Sequence, residues 1–217
     1  MIWAIVPAAG RGSRYGGALP KQYLEIAGLP LIAYSLHAVL AHPSVGGAMV
    51  VLSEDDALWP GWTEIDGKPV RTCIGGAERA DSVLAGLNAL PDDVRPDDFV
   101  LVHDAARPHL RASDLERLLD LGRGEDRAHR IAAAVRDTLK RATPQLFRRL
   151  QLTRALEAAR NAGVAVTDES MAMERLGHRP LLVEGSDDNL KVTTPADLPL
   201  AEFLLRLARE RRMGSDS

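Results

Sequence analysis

Short apolar runs, rich in β-formers and barely broken by charge, recur along the chain at residues 2–6, 48–52, 70–74, 99–102 and 131–135. Unbroken runs of that kind fit strands covered on both faces of a sheet. Between them, residues 31–40, 79–90 and 113–121 carry apolar positions at helical spacing, and Ser113 with Glu116 reads as a capping box. Strands alternating with helices predict right-handed βαβ crossovers and hence an α/β fold with a doubly wound, mostly parallel sheet.

After Asp137 the rhythm changes. Residues 145–161 read as a helix closed at Gly163, and Thr167 as the N-cap of a helix that reaches Leu176 and stops at Gly177. Strand-like runs follow at 180–184 and 189–193, and this last third is expected to supply one antiparallel strand. Pro195 opens a final helix with Leu198, Phe203, Leu204 and Leu207 on its apolar side. Residues 1–208 are expected to form a single domain and 209–217 a frayed tail.

With 217 residues, 46% of them hydrophobic, the chain can bury one sizeable core. Lys and Arg number 27 against 30 Asp and Glu, a net charge of -3, so the basic excess of a nucleic-acid binder is absent. No apolar run approaches the roughly 18 residues of a membrane span, and the first residues lack a secretory leader. A single cysteine, Cys73, fits a reducing compartment and a structural thiol. The expectation is a cytoplasmic enzyme or binding protein with no membrane and no nucleic-acid partner.

The stretch after the first strand carries the chemistry. Pro7-Ala8-Ala9-Gly10-Arg11-Gly12-Ser13-Arg14 leads to Pro20-Lys21-Gln22, at the carboxyl end of a strand where open α/β sheets bind ligands. Small residues there let backbone N–H groups approach phosphate oxygens, and Arg14 and Lys21 add full charges. The spacing is neither G-x-G-x-x-G, since Tyr15 stands where the third glycine belongs, nor a Walker loop, since no Gly-Lys-Ser/Thr follows.

Other clusters reach the same sheet edge. Asp104, after the run at 99–102, suits Mg²⁺ near a triphosphate, a ribose hydroxyl, or an ion pair with Arg107. His103 is not read as a base. Gly76 and Ser82 place backbone amides where a base edge could be read, Arg79 and Asp81 could pair across a first helical turn, and Arg107 offers a fork for a phosphate.

Pro7-Ala8-Ala9-Gly10-x-Gly12-x-Arg14 with Pro20-Lys21-Gln22-Tyr23 resembles the signature of the cytidylyltransferases that act on 2-C-methyl-D-erythritol 4-phosphate. The likeness continues through Gly75-Gly76-x-Glu78-Arg79-x-Asp81-Ser82-Val83 and Val102-His103-Asp104-Ala105-Ala106-Arg107-Pro108. It goes on with Val135-Arg136-Asp137-Thr138-x-Lys140, Thr143-Pro144-Gln145, Thr167-Asp168-Glu169 and Glu184-Gly185-x-x-x-Asn189-x-Lys191-Val192-Thr193. These blocks span nearly the whole chain in order. The resemblance implies a Rossmann-like nucleotidyltransferase fold, a homodimer, CTP and a sugar-alcohol phosphate as substrates, and Mg²⁺ arriving with CTP.

By the same resemblance, Arg14, Lys21 and Lys191 are expected to act in catalysis. Pro7, Ala8, Ala9, Gly10, Gly12, Gly76, Ser82 and Asp104 are expected to meet the nucleotide. Arg107, Thr138, Thr167 and Lys191 are expected to meet the second substrate, with Asp104 as a metal candidate. Two departures stand out. Ala77 occupies a place where an acid is common, and the arm of roughly 20 residues that follows the Asp137-Thr138-x-Lys140 block is missing between 141 and 143. The arm is either deleted or closed over in the sequence; so tight a connection at a mobile place favours the second. Two alternatives stay open at this level: a cytidylyltransferase for another polyol phosphate such as ribitol 5-phosphate, and a non-catalytic nucleotide-binding regulator.

Overall fold

The computed structural model describes residues 1–10, 19–123, 129–132 and 144–215, without the side chains of 123, 129–132, 209 and 211–215. In chain order the elements are β1 (Ile2–Pro7), β2 (Glu25–Ile26), β3 (Leu29–Pro30), α1 (Leu31–Leu40), β4 (Val45–Leu52), β5 (Glu64–Ile65), β6 (Lys68–Ile74) and α2 (Arg79–Asn88). Then come β7 (Phe99–Val102), α3 (Ala112–Arg123), β8 (His129–Ala132), β9 (Gln145–Arg148), α4 (Arg149–Asn161), α5 (Glu169–Arg175), β10 (Leu181–Glu184) and α6 (Leu198–Ser215). Single 3₁₀ turns sit at Lys21–Tyr23 and Pro195–Asp197.

Eight strands form one sheet in the order β10-β8-β9-β7-β1-β4-β6-β5, and β2 pairs with β3 alone. The pairs β7–β1, β1–β4, β4–β6 and β8–β10 are parallel; β9 runs against both of its neighbours, as β5 does against β6. The alternation of β1 distributes its side chains between two cores. Ile2, Ala4 and Val6 face a cluster with Ile32 and Leu36 of α1 and Leu115 and Leu118 of α3. Trp3 and Ile5 face Val83 and Leu87 of α2, Leu152 and Leu156 of α4, and Met173 of α5. Helices thus cover both faces, which is why the central strands read as unbroken apolar runs. A smaller cluster of Ile26, Leu31, Val192, Ala201 and Leu205 seats α6 against the β2–β3 hairpin.

Several sequence expectations are corrected. Residues 145–148 are strand β9 and not the first turn of a helix; buried Leu146 and Phe147 point into opposite cores. The antiparallel strand of the last third is therefore this one. Asp168 caps α5, its side chain accepting from the Met171 N–H at 2.8 Å, so Thr167 stands one residue outside the helix. Ser113 lies within α3, past its first residue Ala112, and so does not cap it. Residues 189–193 join no strand. In α6 the buried face is Ala201 and Leu205, with Phe203 exposed.

Candidate active site

The carboxyl ends of β1, β6 and β7 surround a cavity of about 560 Å³. Its first wall is the stretch Pro7 to Gly10. Ala8 donates its N–H to the Val51 carbonyl at 2.8 Å and accepts from the Gln22 amide nitrogen, also a buried side chain, at 2.7 Å. The backbone is thus pinned from both sides just before it faces the cavity. Among the described residues a β-carbon on Gly10 would meet nothing within 4 Å, and the glycine leaves backbone open to whatever fills the cavity. The 3₁₀ turn that follows Pro20 presents Lys21 to the same space. It is anchored by Tyr23, whose hydroxyl donates to Asp56 Oδ2 at 2.7 Å, while burial and then that bond push the phenol upward.

The second wall joins β6 to α2. A β-carbon on Gly75 would fall 2.7 Å from Ser82 Oγ and 2.9 Å from the Ala9 methyl, so only glycine lets β6, the first wall and α2 meet this closely. Gly76 is equally constrained, 2.4 Å from Asp81 Cβ. Glu78 and Asp81 form a reciprocal capping box that fixes the start of α2, and Ser82 donates to the Gly76 carbonyl at 3.3 Å. Asp81 is therefore committed to the cap. The expected pairing of Arg79 with Asp81 gives way to two other carboxylates, Asp104 and Glu169.

The third wall follows β7. His103 is wholly buried, with Nε2 3.1 Å from the Arg107 carbonyl, and an acceptor there requires Nε2 to carry the proton. Burial lowers its pKa to about 4, so it is neutral near pH 7 and belongs to the scaffold. Asp104, 5% exposed, faces three cations: Arg79 Nη1 at 2.7 Å on Oδ1, with Lys191 Nζ at 2.8 Å and Arg107 Nε at 3.4 Å on Oδ2. Burial by itself would raise this carboxyl, but Arg79, Lys191 and Arg107 together hold it well below the usual carboxylate range.

Lys191 reaches this wall from the far end of the chain. Its segment is extended without being a strand, because two anchors replace a sheet ladder. Val192 donates to the Ala106 carbonyl at 2.9 Å, and Arg107 Nη1 donates to the Asn189 carbonyl at 2.6 Å.

Pro7, Ala8, Ala9, Gly10, Lys21, Gly76, Ser82, Asp104 and Lys191 thus line one cavity. Arg107 does not line it; its fork is spent on Asn189 and Asp104. Thr167 is exposed outside it, with its hydroxyl toward Met171 Sδ at 3.7 Å. Gly12, Arg14, Thr138 and the connection at 141–143 lie outside the described residues. Gln22, Arg79 and Glu169 contribute in ways the sequence reading missed. Gln22 could have been flagged by its place beside Lys21, whereas nothing in the spacing links Arg79 to an acid 90 residues later.

Among the described residues, no three His, Cys, Asp or Glu side chains gather as a metal centre. Asp104 fits Mg²⁺ poorly, since both its oxygens already face cations. The cavity's chemistry is that of an anion site: backbone from small residues, a lysine on either side, and a buried carboxylate that holds one of them in place.

Comparison with known proteins agrees with this geometry. The family model described as 2-C-methyl-D-erythritol 4-phosphate cytidylyltransferase, IspD, matches residues 2–143 and 141–207, two segments that overlap at 141–143. A protein of that name from Xanthomonas campestris pv. campestris (strain 8004) is 61% identical over 233 aligned positions, covering 99% of this chain and 87% of the relative. That alignment is longer than the chain, so some of the relative's positions have no counterpart here. One from Stenotrophomonas maltophilia (strain R551-3) is 62% identical over 94% of this chain and 96% of its own length. Among solved structures, a 4-diphosphocytidyl-2C-methyl-D-erythritol synthase superposes with a TM-score of 0.78 at 31% identity, covering 94% of this chain and 98% of the other. Fold, cavity and sequence likeness together place this chain in the IspD family of 2-C-methyl-D-erythritol 4-phosphate cytidylyltransferases.

Proposed function

We propose that the chain is a nucleotidyltransferase that moves CMP from CTP to 2-C-methyl-D-erythritol 4-phosphate, giving 4-diphosphocytidyl-2-C-methyl-D-erythritol and pyrophosphate in isoprenoid biosynthesis. The observation that carries the reading is the cavity itself, in which Lys21 beside the Pro7 to Gly10 backbone and Lys191 on Asp104 share one opening. The methylerythritol name of the relatives is what favours this alcohol over ribitol 5-phosphate.

An oxygen of the alcohol's phosphate attacks the α-phosphorus of CTP. The new P–O bond forms as the bond to the β-phosphate oxygen breaks, and pyrophosphate leaves with that electron pair. No covalent enzyme intermediate is needed, because the nucleophile belongs to the substrate. The protein's work is positioning and charge stabilisation. Lys21, joined by Arg14, neutralises charge that grows on the α-phosphate, and the amides of Ala8 to Gly10 with Gly12 cradle the triphosphate. Gly76 and Ser82 face the base. Lys191, steadied by Asp104, orients the attacking phosphate, while Arg107 serves by fixing the segment that carries Lys191. Thr138 and Thr167 are further proposed contacts of the second substrate, Thr167 from outside the described cavity lining. No described residue is assigned to hold Mg²⁺; brought with the nucleotide, the ion would supply charge neutralisation for the triphosphate.

The working form is proposed to be a cytoplasmic homodimer, as a two-fold pair is the commonest soluble assembly. No described helix is long and apolar enough to cross a membrane. Incubation with CTP and 2-C-methyl-D-erythritol 4-phosphate, followed by mass identification of the CDP-alcohol, tests the reaction. Formation of a CDP-ribitol product in preference would transfer the assignment to the ribitol alternative. Nucleotide binding without any product would favour a regulator.

A further inference from the structure

Glu169, the first residue of α5, has no exposure at all. A charge buried so completely persists only when it is paired, and its partner is the first residue of α2. Arg79 approaches it with two nitrogens: Nη2 donates to Oε2 at 3.3 Å, and Nε pairs with Oε1 at 3.1 Å as a charge contact, so the guanidinium is held at two points. The remaining nitrogen, Nη1, lies 2.7 Å from Asp104 Oδ1. Asp104 in turn holds Lys191 with its other oxygen at 2.8 Å. One continuous line of charge-assisted contacts therefore runs from a carboxylate outside the cavity to an amine inside it.

Glu169 is not needed to seat its own helix. Asp168 caps α5, Ala172 and Met173 bury its apolar side, and Ser170 donates to the buried Gln145 side chain at 2.9 Å. Nor does the nucleotide-facing start of α2 depend on it, because the Glu78–Asp81 box and the Ser82 to Gly76 bond fix that turn locally. What Glu169 alone supplies is the orientation of Arg79. We propose that Glu169 is a positioning residue for the transfer reaction: by gripping Arg79 at two points it sets the Asp104 carboxylate, and so holds Lys191 in the cavity. This rests on the reading of the cavity as the CMP-transfer site.

Losing the grip frees the guanidinium to rotate toward Asp104, which loosens Lys191 and misplaces the attacking phosphate while leaving the nucleotide wall intact. The test uses the full chain, steady-state pyrophosphate release and calorimetric CTP binding. Glu169→Gln is expected to lower kcat about 10²-fold, the cost of an ångström-scale misplacement, with CTP affinity within about two-fold of the parent. In an Arg79→Lys background, where the fork is already lost, adding Glu169→Gln should cost less than about three-fold more. Undiminished kcat, losses that multiply, or CTP affinity falling in step with kcat would each overturn the proposal. Should Glu169→Gln not fold, Glu169→Asp keeps the charge but withdraws it by one methylene, and it is expected to fold and turn over slowly. Parental turnover in that variant, or failure of both to fold, overturns it too. A parent chain without turnover would refute the CMP-transfer reading instead.

Discussion

Replacing Asp104 with asparagine keeps the side chain's shape and removes its charge, leaving Arg79, Lys191 and Arg107 around a neutral amide. At 2.7 Å and an effective dielectric of about 20, the Arg79 contact alone is worth roughly 6 kcal/mol of gross attraction. Against this stand several kcal/mol for desolvating the carboxylate and the mutual repulsion of the cations it gathers. Lys191, whose side chain is 39% exposed, adds less than its 2.8 Å separation suggests, because water screens it. The net cost should be that of leaving buried charge unpaired, about 3–5 kcal/mol. Urea unfolding at pH 7, at one fixed protein concentration in case of dimerisation, should then show a midpoint lower by roughly 1–2 M with an unchanged slope. A variant within about 1 kcal/mol of the parent would refute the view that this carboxylate organises the three cations.

Further outcomes follow from the same geometry. Lys21→Ala should lower kcat by about 10² to 10³ with the fold intact, and Arg14→Ala should give a loss that does not add to it, since both would act on one developing charge; parental activity in Lys21→Ala would remove that residue from the mechanism. Chelation of Mg²⁺ should abolish turnover while leaving the melting temperature of the free protein nearly unchanged, whereas a large drop would reveal a structural metal. Stability should also fall on mild acidification. His103 and His109 are each lowered to about 4, chiefly by burial, from an ordinary value of 6.5. Between those values the unfolded chain binds protons that the folded chain refuses, so unfolding free energy falls as pH drops from about 6.5 toward 4; an unfolding midpoint unchanged between pH 7 and pH 4.5 would contradict this.

Much of the architecture was legible because local signals agreed with the fold. The run from Ile2 to Val6 is apolar on both faces because α1 and α3 cover one and α2 and α4 the other, and Pro30 marks the start of α1 at Leu31. Where a boundary has no punctuation, the reading failed. Arg148 and Arg149 separate β9 from α4 with neither glycine nor proline between them, so Gln145-Leu146-Phe147-Arg148 merged with the amphipathic pattern that follows. Thr167 and Asp168 are both good caps, and only the geometry of the Met171 N–H decides for the acid. Residues 189–193 carry a strand-like composition, yet their anchors are Arg107 and Ala106. The cavity's lining was legible wherever it follows a strand end, since topology alone brings those ends together. The Glu169–Arg79–Asp104 line was not, because a buried ion pair leaves no mark of its partner in the spacing of either residue.

The central claim is that this cavity transfers CMP to a methylerythritol phosphate. Pyrophosphate release, measured with 2-C-methyl-D-erythritol 4-phosphate and each of CTP, ATP, GTP and UTP in turn, tests it most directly. Release should be rapid with CTP alone and should cease when the alcohol phosphate is omitted. Equal release with all four nucleotides, or none with CTP, would contradict it.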